Sequence, residues 1–145
     1  MGCRMYKCVY FKIEELVSPK VYNSVTNKEL LWLLFDERLL KTIDAIRNYL
    51  NEPIAINTWH SKGNREQCGF RDDINTGALL SQHRYGRAVD ILIKSVSGAT
   101  GYNALRQKII ANKDKFPYIK GLENNINWLH VDVGNRGENI LLFNP

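Results

Sequence analysis

Two short segments constrain this chain most, because each places a histidine and an aspartate beside strand-forming residues. The first runs from Ser81 to Asp90 (SQHRYGRAVD) and the second from Trp128 to Val133 (WLHVDV). The sequence has only three histidines, and two of them lie in these segments. Two imidazoles and one carboxylate, with a fourth position left for water, are the donor set of a catalytic zinc site. We therefore predict that Zn²⁺ binds His83, Asp90 and His130, which indicates hydrolytic chemistry.

Alternation along the second segment supports this prediction. In a strand over residues 128–133, His130 and Asp132 share one face, and the other face carries Leu129, Val131 and Val133. Because the apolar face belongs in the core, the polar face should line a cleft. Asp132 is then a candidate partner for the second ring N–H of His130. The alternative is that each histidine is simply hydrogen-bonded and binds no metal.

Periodicity along the chain predicts an α+β domain over residues 1–145, with a mostly antiparallel sheet and flanking helices. Helices are expected over 28–50, with Asp36 capping the longer part, and over 102–115. Strands are expected over 53–59, 88–93, 117–123, 127–133 and 139–143, and an extended lead-in over 10–13. Asn124 and Asn125 suit a hairpin turn. Residues 60–80 form a long polar loop, and such loops are often functional.

Composition narrows the choice of partners. No apolar run reaches the ~18 residues of a membrane helix. No apolar segment typical of a signal peptide follows Arg4 and Lys7, so we expect synthesis in the cytoplasm.

Three cysteines, Cys3, Cys8 and Cys68, are expected to be reduced thiols. A net charge of +5 favours polyanions or merely solubility. Without a basic stripe interleaved with aromatics, we do not expect nucleic acid as a partner, and we expect a monomer.

The paired motif resembles a known family. Ser-x-His-x-x-Gly-x-Ala-x-Asp followed by Trp-x-His-x-Asp is similar to the zinc D-alanyl-D-alanine carboxypeptidases, which have the hedgehog/DD-peptidase fold and include many phage endolysins. The resemblance extends to residues 10–17, 36–50 and 53–59. It implies that His83, Asp90 and His130 bind zinc and that the substrate is a bacterial cell-wall peptide. It also implies action at the wall after release from the cell, or as part of a virion.

The resemblance also implies a substrate-binding arginine. Cys68-Gly69-Phe70-Arg71 is similar to a Ser-Gly-Tyr-Arg segment whose arginine binds a substrate carboxylate, and a guanidinium fork suits both carboxylate oxygens. The alternative is that Arg71 pairs with Asp72 or Asp73. Further residues predicted to line the substrate groove are Gln67, Trp59 and Ser81. For Trp59 the alternative is packing.

The general base is where the sequence departs from the family. Members carry Glu or Asp three residues before the last metal histidine, or His five residues before it, and here these positions are Asn127 and Asn125. The nearest carboxylate is Glu123, which a hairpin would fold back towards His130, so Glu123 is the predicted base. If Glu123 points to solvent, the domain is instead a non-catalytic zinc-containing binding module or virion component. A third hypothesis, a polyanion binder, predicts salt-dependent binding that survives loss of the metal.

Overall fold

Five short strands form one mixed sheet in the computed structural model, which describes residues 4–145. The strands are β1 (Ile54–Ala55), β2 (Ala88–Ile93), β3 (Gly121–Glu123), β4 (Leu129–Asp132) and β5 (Leu141–Phe143). Their order across the sheet is β1-β2-β4-β3-β5. The β1–β2, β2–β4 and β3–β4 pairs are antiparallel, whereas β5 runs parallel to β3. The α+β class and the mostly antiparallel sheet are thus confirmed.

Three α-helices accompany the sheet: α1 (Pro19–Asn23), α2 (Glu37–Leu50) and α3 (Gly98–Ala111). Asp36 caps α2 by accepting a hydrogen bond from the backbone N–H of Arg38, as predicted. The helix ends at Asn51, whose left-handed conformation (φ 53°) stops the α-helical hydrogen bonding. One face of α2 carries buried apolar residues of the core, namely Leu39, Leu40, Ile43 and Ile46. The first part of the predicted 28–50 helix is a 3₁₀ helix, Lys28–Leu34.

Several predicted elements have other bounds in the structure. The strands expected over 117–123, 127–133 and 139–143 are shorter, at Gly121–Glu123, Leu129–Asp132 and Leu141–Phe143. The strand expected over 53–59 has only two residues, because Asn57 leaves the sheet to hold the segment around Val17. Its backbone N–H donates to the carbonyl of Glu15, and its side-chain amide donates to the carbonyl of Val17 at 2.9 Å. The helix expected from Tyr102 begins at Gly98 and ends at Ala111. The extended lead-in expected over 10–13 is shorter, since Tyr10 lies in a bend and a 3₁₀ helix begins at Ile13 after the extended Lys12.

The hairpin between β3 and β4 is present, and Asn125 supplies its left-handed turn residue (φ 57°). The predicted alternation along β4 is also confirmed. Its apolar face is buried in the core, and the side chains of Leu129 and Val131 are fully buried. His130 and Asp132 consequently point to the other side of the sheet, where the candidate site lies.

Within the described residues, no helix combines the length and the apolar character needed to span a lipid bilayer. Cys8 and Cys68 are free thiols in the part of the chain that the structure describes. Cys3, to which the same prediction applies, lies outside the described residues.

Candidate metal centre

The sheet itself brings two of the predicted metal ligands together. Asp90 on β2 lies directly opposite His130 on β4 in the antiparallel register. Side chains of directly opposed residues emerge on the same face and lie within contact distance. Asp90 Oδ1 is 2.8 Å from His130 Nδ1. The register of β2 and β4 alone therefore fixes the positions of two of the three predicted ligands.

The third ligand reaches the same point from a loop. His83 lies on a 3₁₀ helix, Gln82–Tyr85, that ends at Gly86 in the left-handed conformation (φ 65°). A Cβ at Gly86 would collide with the carbonyl oxygen of Leu34, so glycine is required there on both counts. The turn directs the His83 side chain back to the sheet, where its Nε2 is 3.3 Å from Asp90 Oδ1.

A short loop segment, residues 68–71, supports both His83 and Asp90. The carbonyl of Cys68 accepts a hydrogen bond from the backbone N–H of Asp90 at 2.8 Å, and the backbone N–H of Arg71 donates to the carbonyl of His83. Gly69 places its carbonyl 3.0 Å from His83 Nδ1. Because a carbonyl only accepts, Nδ1 donates to Gly69, and Nε2 is the nitrogen that faces the site.

His130 is oriented by carboxylates on both sides. Its Nε2 is 3.2 Å from Oδ2 of Asp132, which is fully buried, and its Nδ1 faces Asp90. Arg136 in turn donates from Nε to Asp132 Oδ1 at 2.9 Å. This matches the arrangement in which a supporting carboxylate takes one ring N–H of a metal-binding histidine and leaves the other nitrogen for the ion.

The charges of the site shift its pKa values strongly. Burial lowers the pKa of His130, but hydrogen bonds to Asp132 and Asp90 outweigh burial and raise it to about 9. Burial raises the pKa of Asp90, but hydrogen bonds from His130 and His83 outweigh burial and hold it far below the usual range. The pKa of Asp132 is lowered in the same way, by His130 and Arg136 against the effect of burial. Without an ion, His130 is therefore a cation between two carboxylates at neutral pH.

The donor set fits a metal ion. Nε2 or Nδ1 of each histidine and one oxygen of Asp90 all lie within 4.8 Å of one another. Ligands at ~2.0–2.1 Å from a tetrahedral zinc are roughly 3.4 Å apart, close to the 3.3 Å between His83 Nε2 and Asp90 Oδ1. Two imidazoles and one carboxylate also leave a further coordination position, as in catalytic sites. The group of His83, Asp90 and His130 could hold a metal ion.

A cleft of about 420 Å³ opens onto these three side chains. Glu123 lies at its wall, with Oε2 4.0 Å from His130 Nδ1, so the hairpin does fold this carboxylate back to the site. Arg71 also lines the cleft, with Nη2 3.5 Å from Asp90 Oδ2 and Nη1 3.4 Å from Ser81 Oγ. The structure thus brings Glu123, Arg71 and Ser81 together with the candidate metal-binding group.

Two predicted groove residues do not line this cleft. The Gln67 side chain turns into its own loop, where Oε1 accepts from the backbone N–H groups of Asp72 and Asp73. Trp59 packs against Tyr22, with ring centroids 5.7 Å apart, and its Nε1 donates to a backbone carbonyl at 2.8 Å. For Trp59 the structure favours the packing alternative. Neither side chain is placed to touch a ligand at the metal-binding group.

Two further residues that line the cleft, Arg136 and Phe143, were not predicted from the sequence. The guanidinium carbon of Arg136 lies 4.8 Å from the centre of the Phe143 ring, and that ring is 5.7 Å from the His130 ring. Phe143 is placed at the cleft by the parallel pairing of β5 with β3. No local sequence pattern predicts this pairing. A basic residue shortly after Asp132 was the only available signal for Arg136.

Comparisons with known proteins identify no relative. No protein-family model, no curated protein and no solved structure matches this chain.

Proposed function

We propose that this chain is a zinc-dependent peptidase of the hedgehog/DD-peptidase type that hydrolyses peptide bonds in bacterial peptidoglycan stem peptides, as a carboxypeptidase or an endopeptidase. One observation carries the proposal. The metal-binding group of His83, Asp90 and His130 shares a cleft with a free carboxylate, that of Glu123. A purely structural zinc site is closed by four protein ligands and does not require an additional carboxylate beside the metal.

Zinc held by His83, Asp90 and His130 would polarise a scissile carbonyl and lower the pKa of water towards neutrality. Side chains of the protein would carry out the proton transfer and the substrate binding. Glu123 lies 4.0 Å from His130 Nδ1, within reach of a proton on an attacking water. We assign it the transfer of that proton to the departing amine. Arg71 supplies a guanidinium at the other side of Asp90, where it would orient a substrate carboxylate.

The restriction to cell-wall peptides rests on the resemblance of the paired histidine motifs. Arg71 adds support, because stem peptides carry free carboxylates that a guanidinium can bind. The proposed site of action is the bacterial wall, reached after release from the cell or as part of a virion. The net charge of +5 suits the anionic polymers of that environment.

A second candidate function is a non-catalytic zinc-containing binding module or virion component of the same fold. The observation that favours it concerns the two asparagines at the usual base positions. Asn125 is hydrogen-bonded to Asn103 and Asn144, and Asn127 is exposed and does not line the cleft. Within the described residues, Glu123 is the only carboxylate besides Asp90 that lines the cleft, so catalysis at this site would depend on it.

The test measures bound zinc and amine release from purified peptidoglycan for the wild type, Glu123→Gln and the control Glu138→Gln. Glu138 is an exposed carboxylate that does not line the cleft. We expect one zinc per chain in all three proteins and a rate lower by ~10²–10⁴ in Glu123→Gln alone. Loaded zinc without amine release from any wall type would favour the binding module, and full activity of Glu123→Gln would remove Glu123 as the base.

A further inference from the structure

We propose that Arg136 forms a second anion-binding subsite in the cleft, so that the preferred substrates are peptides carrying two carboxylates. One binds near Arg71 and the other binds Arg136. This inference rests on the proposed function, because it specifies the substrate class of the same cleft. It assigns a substrate-binding role to a residue that otherwise serves only as the hydrogen-bond partner of Asp132.

The two arginines occupy the two ends of one continuous chain of charges. Arg71 contacts Asp90, Asp90 contacts His130, His130 contacts Asp132, and Asp132 accepts from Arg136. The corresponding N···O distances are 3.5, 2.8, 3.2 and 2.9 Å. His130 is the middle member, so one guanidinium lies on each side of this metal-binding histidine. A peptide lying across His130 would meet a cation at both ends.

The two guanidinium groups differ in how much of their hydrogen-bonding capacity is free. Arg71 uses all three nitrogens: Nε donates to the Gln67 carbonyl, Nη1 to Ser81 and Nη2 to Asp90. Arg136 donates only from Nε, to Asp132, and within residues 4–145 its two Nη groups have no hydrogen-bond partner. The free edge of Arg136 is the part of a guanidinium that binds a carboxylate through two parallel hydrogen bonds.

Arg136 is also held in place before any ligand binds. Its Nε is fixed by the fully buried carboxylate of Asp132, and its guanidinium carbon stacks over the Phe143 ring at 4.8 Å. The side chain is 29% exposed, so it is accessible from the cleft that it lines. A side chain fixed in this way loses little further entropy on binding a ligand. Serving as the counterion of Asp132 would need only Nε and leaves the other edge available.

The experiment measures equilibrium binding of two synthetic stem tetrapeptides to zinc-loaded protein by calorimetry. One peptide has a free α-carboxylate on its second residue, and the other has the amide at that atom; both have a free C-terminus. All proteins carry Glu123→Gln, so that binding is read without turnover. The variants are Arg136→Gln and Arg136→Lys, and the control is Arg38→Gln. Arg38 also pairs with an aspartate, Asp36, but lies on α2 and does not line the cleft.

We expect the parent protein and Arg38→Gln to prefer the acid over the amide by about tenfold, from charge-assisted hydrogen bonds. Arg136→Gln should abolish the preference, and Arg136→Lys, which keeps the charge but not the fork, should retain part of it. An unchanged preference in Arg136→Gln, or failure of both peptides to bind the zinc-loaded parent, would overturn the subsite.

Amine release from the same peptides by the protein with Glu123 intact separates this inference from the proposed function. Hydrolysis without a preference for the acid peptide over the amide would exclude the Arg136 subsite and would still support the peptidase. An Arg136-dependent acid preference without hydrolysis supports the subsite and counts against the peptidase.

Discussion

Asp90 and His130 face each other across two antiparallel strands, and Asp90 Oδ1 lies 2.8 Å from His130 Nδ1. His83 Nε2 approaches the same oxygen at 3.3 Å. One carboxylate oxygen is thus the common neighbour of both imidazoles. We therefore expect Asp90 to be the residue on which metal binding would depend most.

Replacement of Asp90 by asparagine should therefore reduce zinc affinity by well over the ~10–100-fold typical of a lost supporting residue. Asparagine keeps the size of the side chain but removes the negative charge that the two histidines face. Competition with a chromophoric chelator measures the change. The control is Asp73→Asn, an aspartate of the 72–81 loop that bonds Thr76 and Asn75. Equal zinc affinity of Asp90→Asn and the wild type would exclude Asp90 as a ligand.

Zinc binding should strengthen as the pH rises. The pKa of His130 is about 9 in the metal-free protein, against an ordinary value near 6.5, so an ion must displace a proton from this ring. We expect the apparent affinity to rise about tenfold per pH unit between roughly 6.5 and 9 and then to level off. Calorimetry in buffers of different ionisation enthalpy counts the released proton. Binding that is independent of pH over this range would contradict the assignment of His130.

The stability of the metal-free protein should show the opposite trend. His130 has a folded pKa above its unfolded value, so its contribution is fully present below about 6.5 and is lost as the pH rises through about 9. The pKa values of Asp90 and Asp132 are lowered, so their contributions are present above the usual aspartate range and are lost on acidification. Urea unfolding between pH 5 and 9 with a chelator present measures this. His130→Asn should abolish the loss on the alkaline side, and persistence of that loss in the variant would assign it to another group.

Gly121 should be needed for the metal centre although it touches no ligand. It lies opposite Asp132 in the β3–β4 register, and a Cβ at this position would collide with the Asp132 carboxylate. Gly121→Ala should displace that carboxylate from His130 and weaken zinc binding by ~10–100-fold. Gly101→Ala is the matched control, since this glycine lies within α3, where alanine is favourable. Unchanged zinc affinity in Gly121→Ala would show that Asp132 does not support His130.

The loop over residues 72–81 should control substrate binding without affecting zinc. Arg84 donates to the carbonyls of Ile74, Thr76 and Ala78, and thereby holds the loop. Gly77 has φ 74°, and a Cβ there would collide with Nη1 of Arg71. Gly77→Ala should therefore displace the Arg71 guanidinium and raise KM several-fold at unchanged zinc content. Arg84→Gln should act in the same direction. An unchanged KM in both variants would separate this loop from Arg71.

Much of the site could be predicted because its pattern is local. Alternation over residues 128–133 assigned His130 and Asp132 to one face, and the asparagine hairpin indicated that Glu123 folds back towards His130. The sequence pattern likewise predicted the apolar strand β2, the amphipathic helix α2 and the asparagine turn. Each of these features depends on neighbours within a few residues, which is the range over which sequence periodicity carries information.

The remainder depends on contacts between distant segments. Gln67 was expected in the groove, but its side-chain oxygen satisfies two backbone N–H groups of its own loop. Phe143 reaches the site because β5 adds to the sheet in parallel with β3, and its ring then lies beneath the Arg136 guanidinium. The strand at Ile54 ends early since Asn57 bonds to Val17, forty residues away. Such partners leave no periodic signal in the sequence.

The most direct test of the account is the zinc content and coordination of the purified protein. X-ray absorption at the zinc edge and metal analysis should be applied to the wild type, His83→Ala and His130→Ala. We predict one zinc per chain with two imidazole ligands and the remaining ligands oxygen, and loss of the ion from both variants. Absence of zinc from the wild type, or full retention in either variant, would contradict it.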